Sequence, residues 1–311
     1  MTLRPWHAEA WQRLQARRER GALPHALLLA GAAGLGKRDF LHTFAQGLLC
    51  QQPADGVPCG TCRSCHFFVA GTHPDVVQLS FGLRKDGVQR SEIVVDQIRD
   101  LSQRLSMSSQ FGGWQVATID PADAMNAPAA NALLKTLEEP SQATMLILVA
   151  DAPSRLPATI RSRCQRIDFA VPSRDESLAW LTAEGVKDPA AALLAAGGNP
   201  GMARDWATDG ALKQRSEVRG DLLALATGRG DAVEMAKRWQ TNDPSRYLWF
   251  AAQAATDELR ARAEGTKSPL ESTLDDEALD AWYGQANRAR DSLRGPLRAD
   301  LVLLELLAAW R

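Results

Sequence analysis

The stretch Ala26-Leu27-Leu28-Leu29-Ala30-Gly31-Ala32-Ala33-Gly34-Leu35-Gly36-Lys37-Arg38 decides the fold. Its first five residues form a short continuous apolar run, as expected of a strand buried on both faces. Residues Gly31 to Lys37 fit G-x-x-x-x-G-K, and a helix is expected from Lys37 to about Leu49. A glycine-rich turn between a strand and a helix is the P-loop arrangement: glycines let backbone N–H groups curl around a phosphate, and the lysine neutralises charge there. The candidate phosphate-binding residues are Gly31, Gly34, Gly36 and Lys37.

Working outward, a helix is expected over Pro5–Arg20. Strands are expected at Asp75–Leu79, Trp114–Asp120, Thr144–Ala150 and Gln165–Phe169. Helices are expected over Glu92–Ser106, with Ser91 as N-cap, and over Asn126–Glu139, stopped by Pro140. Apolar strands alternating with helices give an α/β domain with a mainly parallel sheet. After Pro172 the strand signals stop. Short helices are expected over residues 173–208, and helices from about 210 onward, broken at Gly228–Gly230, Gly265–Pro269 and Gly295–Pro296. The stripe Leu133, Leu134, Leu137 reads as core.

Two positions argue against hydrolysis by this chain. A working P-loop has Ser or Thr after its lysine to ligate Mg²⁺, whereas Arg38 carries no acceptor atom. Asp120, expected at the end of a strand, suits the metal-site acid, but the next residue is Pro121, where a second acid would orient the attacking water. Asp123 is three residues away. Weak nucleotide or phosphate binding without productive turnover stays open.

Cys50, Cys59, Cys62 and Cys65 have the spacing C-x8-C-x2-C-x2-C. Each C-x2-C pair lets two thiolates grip one ion, and four thiolates close a tetrahedral structural Zn²⁺ site. His66 or His73 are weaker candidate ligands, and Cys164 is remote in sequence. With 36 Lys plus Arg against 37 Asp plus Glu, the net charge of -1 argues against strong independent DNA binding by bulk basic charge. Arg84, Lys85 and Arg90 read as a solvated loop. No apolar run approaches the ~20 residues of a membrane span. The N-terminal stretch lacks the apolar core of a secretory signal, so the cytoplasm, where thiols stay reduced, is the expected compartment.

Several stretches together resemble bacterial clamp-loader subunits of the AAA+ class. They are Leu23-Pro24-His25-Ala26-Leu27-Leu28-Leu29, the P-loop, the four-cysteine insert, Asn131-Ala132-Leu133-Leu134-Lys135-Thr136-Leu137-Glu138-Glu139-Pro140, and Leu156-Pro157-Ala158-Thr159-Ile160-Arg161-Ser162-Arg163-Cys164. The resemblance is firm over residues 20–170 and mostly architectural beyond. It implies a C-shaped chain of three domains. These are an α/β P-loop AAA+ domain over 1–168 with a zinc module at 50–65, a small helical lid over 169–208, and an all-α collar over 209–311 that associates with other subunits in a five-member ring. The implied partners are the gamma/tau and delta clamp-loader subunits, with the beta sliding clamp and primed DNA within the assembly.

The ATP-hydrolysing gamma/tau pattern has Thr or Ser at position 38 and Glu at position 121. Arg38 and Pro121 make this chain resemble instead the non-hydrolysing stator, a component of the polymerase assembly with no ATPase of its own. ATPase members carry an arginine shortly after a Gly-Ser, where Gly198-Asn199-Pro200-Gly201 here places Gly201, and Arg204 is an offset candidate for that arginine. In this class the arginine of Ser-Arg-Cys, here Arg163, reaches ATP bound on a neighbour as a trans arginine finger. The alternative is a gamma/tau-like subunit that itself binds and hydrolyses ATP.

Overall fold

The computed structural model of the chain describes residues 3–83, 87, 89–141, 143–293 and 298–310. It separates into two compact units, Met1–Trp180 with Asn199–Met202, and Leu181–Gly198 with Ala203–Arg311.

In the first unit, a 3-10 turn (Pro5–His7) leads into α1 (Ala8–Glu19), β1 (Ala26–Ala30), α2 (Lys37–Leu49), α3 (Arg63–Val69) and β2 (Val76–Leu79). There follow α4 (Val95–Leu105), β3 (Gln115–Ile119), α5 (Ala127–Glu138), β4 (Thr144–Ala150), α6 (Ala158–Arg161) and β5 (Gln165–Asp168). The five strands form one sheet in the order β2-β3-β4-β1-β5. Every pair is parallel, with Ala30 opposite Ala150 and Ile119 opposite Leu148.

Side-chain alternation along the strands builds two cores. Leu28, Ala117, Leu146 and Leu148 pack with Ile98 and Leu101 of α4 and with Leu133 and Leu137 of α5. Leu27, Leu29, Val116, Ile147 and Val149 pack on the other face with Trp11 of α1 and Phe40 and Phe44 of α2. Because both faces are covered, β1 and β4 are buried at every residue, which is why they read as unbroken apolar runs.

The helix expected from Glu92 with Ser91 as its cap begins three residues later. Ile93 is fully buried and bridges Met125, donating its N–H to Ala124 and accepting from Asn126. The backbone there is committed to that bridge, so Val94 becomes the N-cap, its N–H satisfied by the Gln97 side chain. Asn126 caps α5 with its side chain, as the expected helix start implies.

The remaining elements are α7 (Arg174–Ala183), α8 (Pro189–Ala195), α9 (Pro200–Trp206), α10 (Ala211–Ala226), α11 (Ala232–Thr241), α12 (Pro244–Ala263), α13 (Asp276–Ser292) and α14 (Ala299–Ala308). All are helices. A break at Asn242–Asp243 that glycine and proline counting missed is made by Asp243, which caps α12 from a left-handed conformation. In the second unit Trp239, Trp282 and Trp310 are buried, and each indole N–H has an acceptor: Asp221, Leu306 and Leu222. Buried Glu258 accepts from Leu270 N–H and pairs with Arg262, which anchors the connection between α12 and α13. The break expected at Gly295–Pro296 lies outside the described residues. Among the described residues no helix is long and apolar enough to cross a membrane.

Candidate functional site

In a parallel sheet the loops after neighbouring strands converge at the strands' C-terminal edge, where ligands bind. β3, β4 and β1 are adjacent, so the loops after them bring together Asp120, Asp151 and the Gly31–Lys37 turn. The turn has the expected placement between β1 and α2. Gly36 sits at φ 82°, a left-handed conformation that favours glycine.

The side chains here are engaged with one another. Lys37 is 2% exposed. Its Nζ donates to Gly31 O at 2.6 Å and to Ala32 O at 2.6 Å, and pairs with Asp151 Oδ1 at 2.6 Å. An ammonium has three N–H groups, so these three partners use them all. Arg38 donates through Nε and Nη2 to the two carboxylate oxygens of Asp120, both at 2.8 Å, and through Nη2 to Asp151 Oδ2 at 3.1 Å. The guanidinium thus occupies the carboxylates that a metal ion would need, and two cations face two carboxylates.

Burial pulls the Lys37 pKa down against the pull of Asp151. For Arg38, burial opposes the charge, but the bonds from Asp151 and Asp120 prevail and hold the pKa up. For Asp151, burial is likewise outweighed, by Lys37 and Arg38, which hold its carboxyl below the usual range. Asp123, considered as an offset acid, accepts instead from the Ala152 N–H at 2.8 Å.

The turn's carbonyls are also taken. Asn199 Nδ2 donates to Ala33 O at 2.7 Å, Arg4 Nη1 to Gly34 O at 2.6 Å, and Trp6 Nε1 to Leu35 O at 3.0 Å. His7 Nε2 lies 2.8 Å from Leu35 O while its Nδ1 accepts from the Arg4 N–H. A Cβ on Gly201 would stand 1.7 Å from Gly34 O, so only glycine permits this approach. Arg204 pairs with Asp205 and Glu184. Sequence reasoning missed Asp151, Arg4 and Asn199. Only the register of Asp151, one residue beyond the end of β4, carries a signal for it.

Cys50, Cys59, Cys62 and Cys65 come together with their sulfur atoms all within 4.8 Å of one another. Cys50 Sγ and Cys62 Sγ are 3.9 Å apart. A tetrahedron of Zn–S bonds of about 2.3 Å has S···S edges of about 3.8 Å. Backbone N–H groups point at the sulfurs: Gln52 and Cys59 to Cys50, Cys62 to Cys59, and Cys65 to Cys62. Cys62 caps α3, a helix the sequence reading did not anticipate. Hydrogen bonds from the Thr61 backbone and side chain bring the Cys59 thiol down to about 6, while burial pushes Cys65 up to about 12. Four thiolates this close cannot coexist without a cation, so the donor set fits one soft divalent metal. His73 is not among the ligand candidates: Nε2 meets Ser64 Oγ at 2.9 Å and Nδ1 accepts from Asp75 N–H. His66 is exposed.

Arg163 stands beyond α6. Its Nε is 2.9 Å and its Nη2 2.6 Å from Glu138 Oε1, and Nη1 donates to Thr159 O at 3.1 Å. The next residue, Cys164, points into the core, where burial pushes its thiol up to about 12. Arg84 and Lys85 lie outside the described residues.

Comparison with known proteins agrees over this whole region. Residues 6–173 match the protein family described as "DNA polymerase III, delta subunit". The DNA polymerase III subunit delta' of Pseudomonas aeruginosa is 39% identical over 251 residues, covering 79% of this chain and 74% of that protein. The subunit delta' of Escherichia coli K12 is 30% identical over 318 residues, covering 97% and 93%. The subunit tau of Bacillus subtilis is 31% identical over 207 residues, covering 65% of this chain and 35% of that protein. Matched over more than half its length by the family and at 30–39% identity by these delta' relatives, the chain belongs to the family of DNA polymerase III delta' subunits.

Proposed function

We propose that this chain is the non-hydrolysing stator of a clamp loader, a component of the DNA polymerase III assembly that helps place the beta sliding clamp on primed DNA. The observation that carries this is the closed charge cluster at the P-loop. All three Lys37 N–H groups are used inside the protein, and Arg38 fills the carboxylates that would otherwise hold Mg²⁺. Productive ATP binding would need those contacts broken and a metal ligand that position 38 does not supply.

Its catalytic contribution is then made elsewhere. Arg163, on a surface loop, would reach ATP held by a neighbouring gamma/tau subunit and stabilise charge in the phosphoryl-transfer transition state. The AAA+ unit over 1–168, the lid over 169–208 and the collar over 209–311 form the working division of the chain, the collar joining the gamma/tau and delta subunits. A Zn²⁺ held by Cys50, Cys59, Cys62 and Cys65 would supply structural stability to the module at 50–65, with no open position for catalysis. The cytoplasm is its place of action.

The test is Arg163→Ala in the reconstituted loader. DNA-stimulated ATP hydrolysis should fall about tenfold while the complex stays assembled on gel filtration. An unchanged rate would refute the trans-arginine role.

A further inference from the structure

Arg163 does not hang free in solvent. Its guanidinium is fixed at three points: Nε and Nη2 on Glu138 Oε1, at 2.9 and 2.6 Å, and Nη1 on the Thr159 carbonyl, at 3.1 Å. Glu138 is the last residue of α5, and Thr159 lies in α6. Both elements are rooted in the same core, through Leu133 and Leu137 on one and Ile160 on the other. Cys164 anchors the other side of the arginine in that core. The carboxylate and carbonyl that orient the guanidinium therefore sit on packed helices, while the arginine's own loop contributes only its backbone.

The pair is about half exposed, with side-chain exposures of 36% for Arg163 and 53% for Glu138. An ion pair this wet contributes little to stability. Its effect is on geometry, because a long arginine side chain samples many rotamers unless something holds it. A guanidinium carries five N–H groups, and three go to Glu138 and Thr159. One remains on each terminal nitrogen, enough for two bonds to an incoming phosphoryl group. The anchor therefore orients the arginine without consuming its capacity to act.

We propose that Glu138 is the positioning residue for Arg163, presetting the guanidinium before a neighbouring subunit's nucleotide meets it. This rests on the trans-arginine reading of Arg163. In the reconstituted loader, Glu138→Ala should lower kcat of DNA-stimulated ATP hydrolysis about threefold, with KM, assembly and melting temperature unchanged. Glu138→Gln keeps an acceptor oxygen for Nε and Nη2 and should recover most of the loss. Adding Glu138→Ala to Arg163→Ala should change nothing further, since the two act as one unit. Wild-type kcat in Glu138→Ala, or losses that multiply in the double variant, would overturn the proposal while leaving the arginine's role intact. An unaffected rate in Arg163→Ala alone would overturn both.

Discussion

Lys37 turns its three N–H groups on three internal acceptors, the residue-scale basis of the proposed silent P-loop. The lysine is sheltered from water and held by Asp151 and two carbonyls, although burial still weighs against its charge. The same region holds a titratable weak point. His7 is fully buried, its Nδ1 already receiving the Arg4 N–H, and burial, with the Arg4 charge, lowers its pKa below the ordinary 6.5. The unfolded chain therefore binds the proton first as pH falls, so stability is full above about 6.5 and is lost as pH drops below it. Urea midpoints measured at pH 7.5 and 5.5 should show this loss, and His7→Gln, which does not titrate, should shrink the difference. Equal losses in both proteins would remove His7 from the account. Arg38 and Pro121 were legible as departures from a hydrolytic motif because each changes the chemistry of a fixed position. Asp151 and Asn199 were not, because their meeting with the turn depends on strand order and chain return, which no local pattern encodes.

Among the elements, strands buried on both faces were the most legible. β1 and β4 match their expected bounds because parallel-sheet burial demands an unbroken apolar run. α4 starts later than its pattern implies because Ile93 is recruited by a bridge to Met125, which leaves Val94, in phase with Ile98, Leu101 and Leu105, as the N-cap. The helix α3 carries no sequence signal because it is short and built around candidate-ligand cysteines in place of an apolar stripe. On the proposed zinc reading, metal analysis should return about one Zn per chain, and Cys59→Ser with Cys62→Ser should abolish it. A wild-type chain that holds no zinc yet resists proteolysis across residues 50–65 would contradict this.

At the scale of the whole molecule, the net charge of -1 takes a specific meaning. The proposed stator, meeting DNA through its partners, would need no basic surface of its own, only one well-placed cation at a subunit boundary, Arg163. The change from sheet to helices after β5 was legible because apolar periodicity shifts there. The division into two compact units was less so, because Asn199–Met202 packs with the first unit although its sequence neighbours belong to the second. The proposed stator carries a nucleotide fold closed by its own charges. ATP turnover by the purified chain, with Mg²⁺ present, tests it most directly. No hydrolysis above background is predicted, and magnesium-dependent hydrolysis abolished by Lys37→Ala would contradict it.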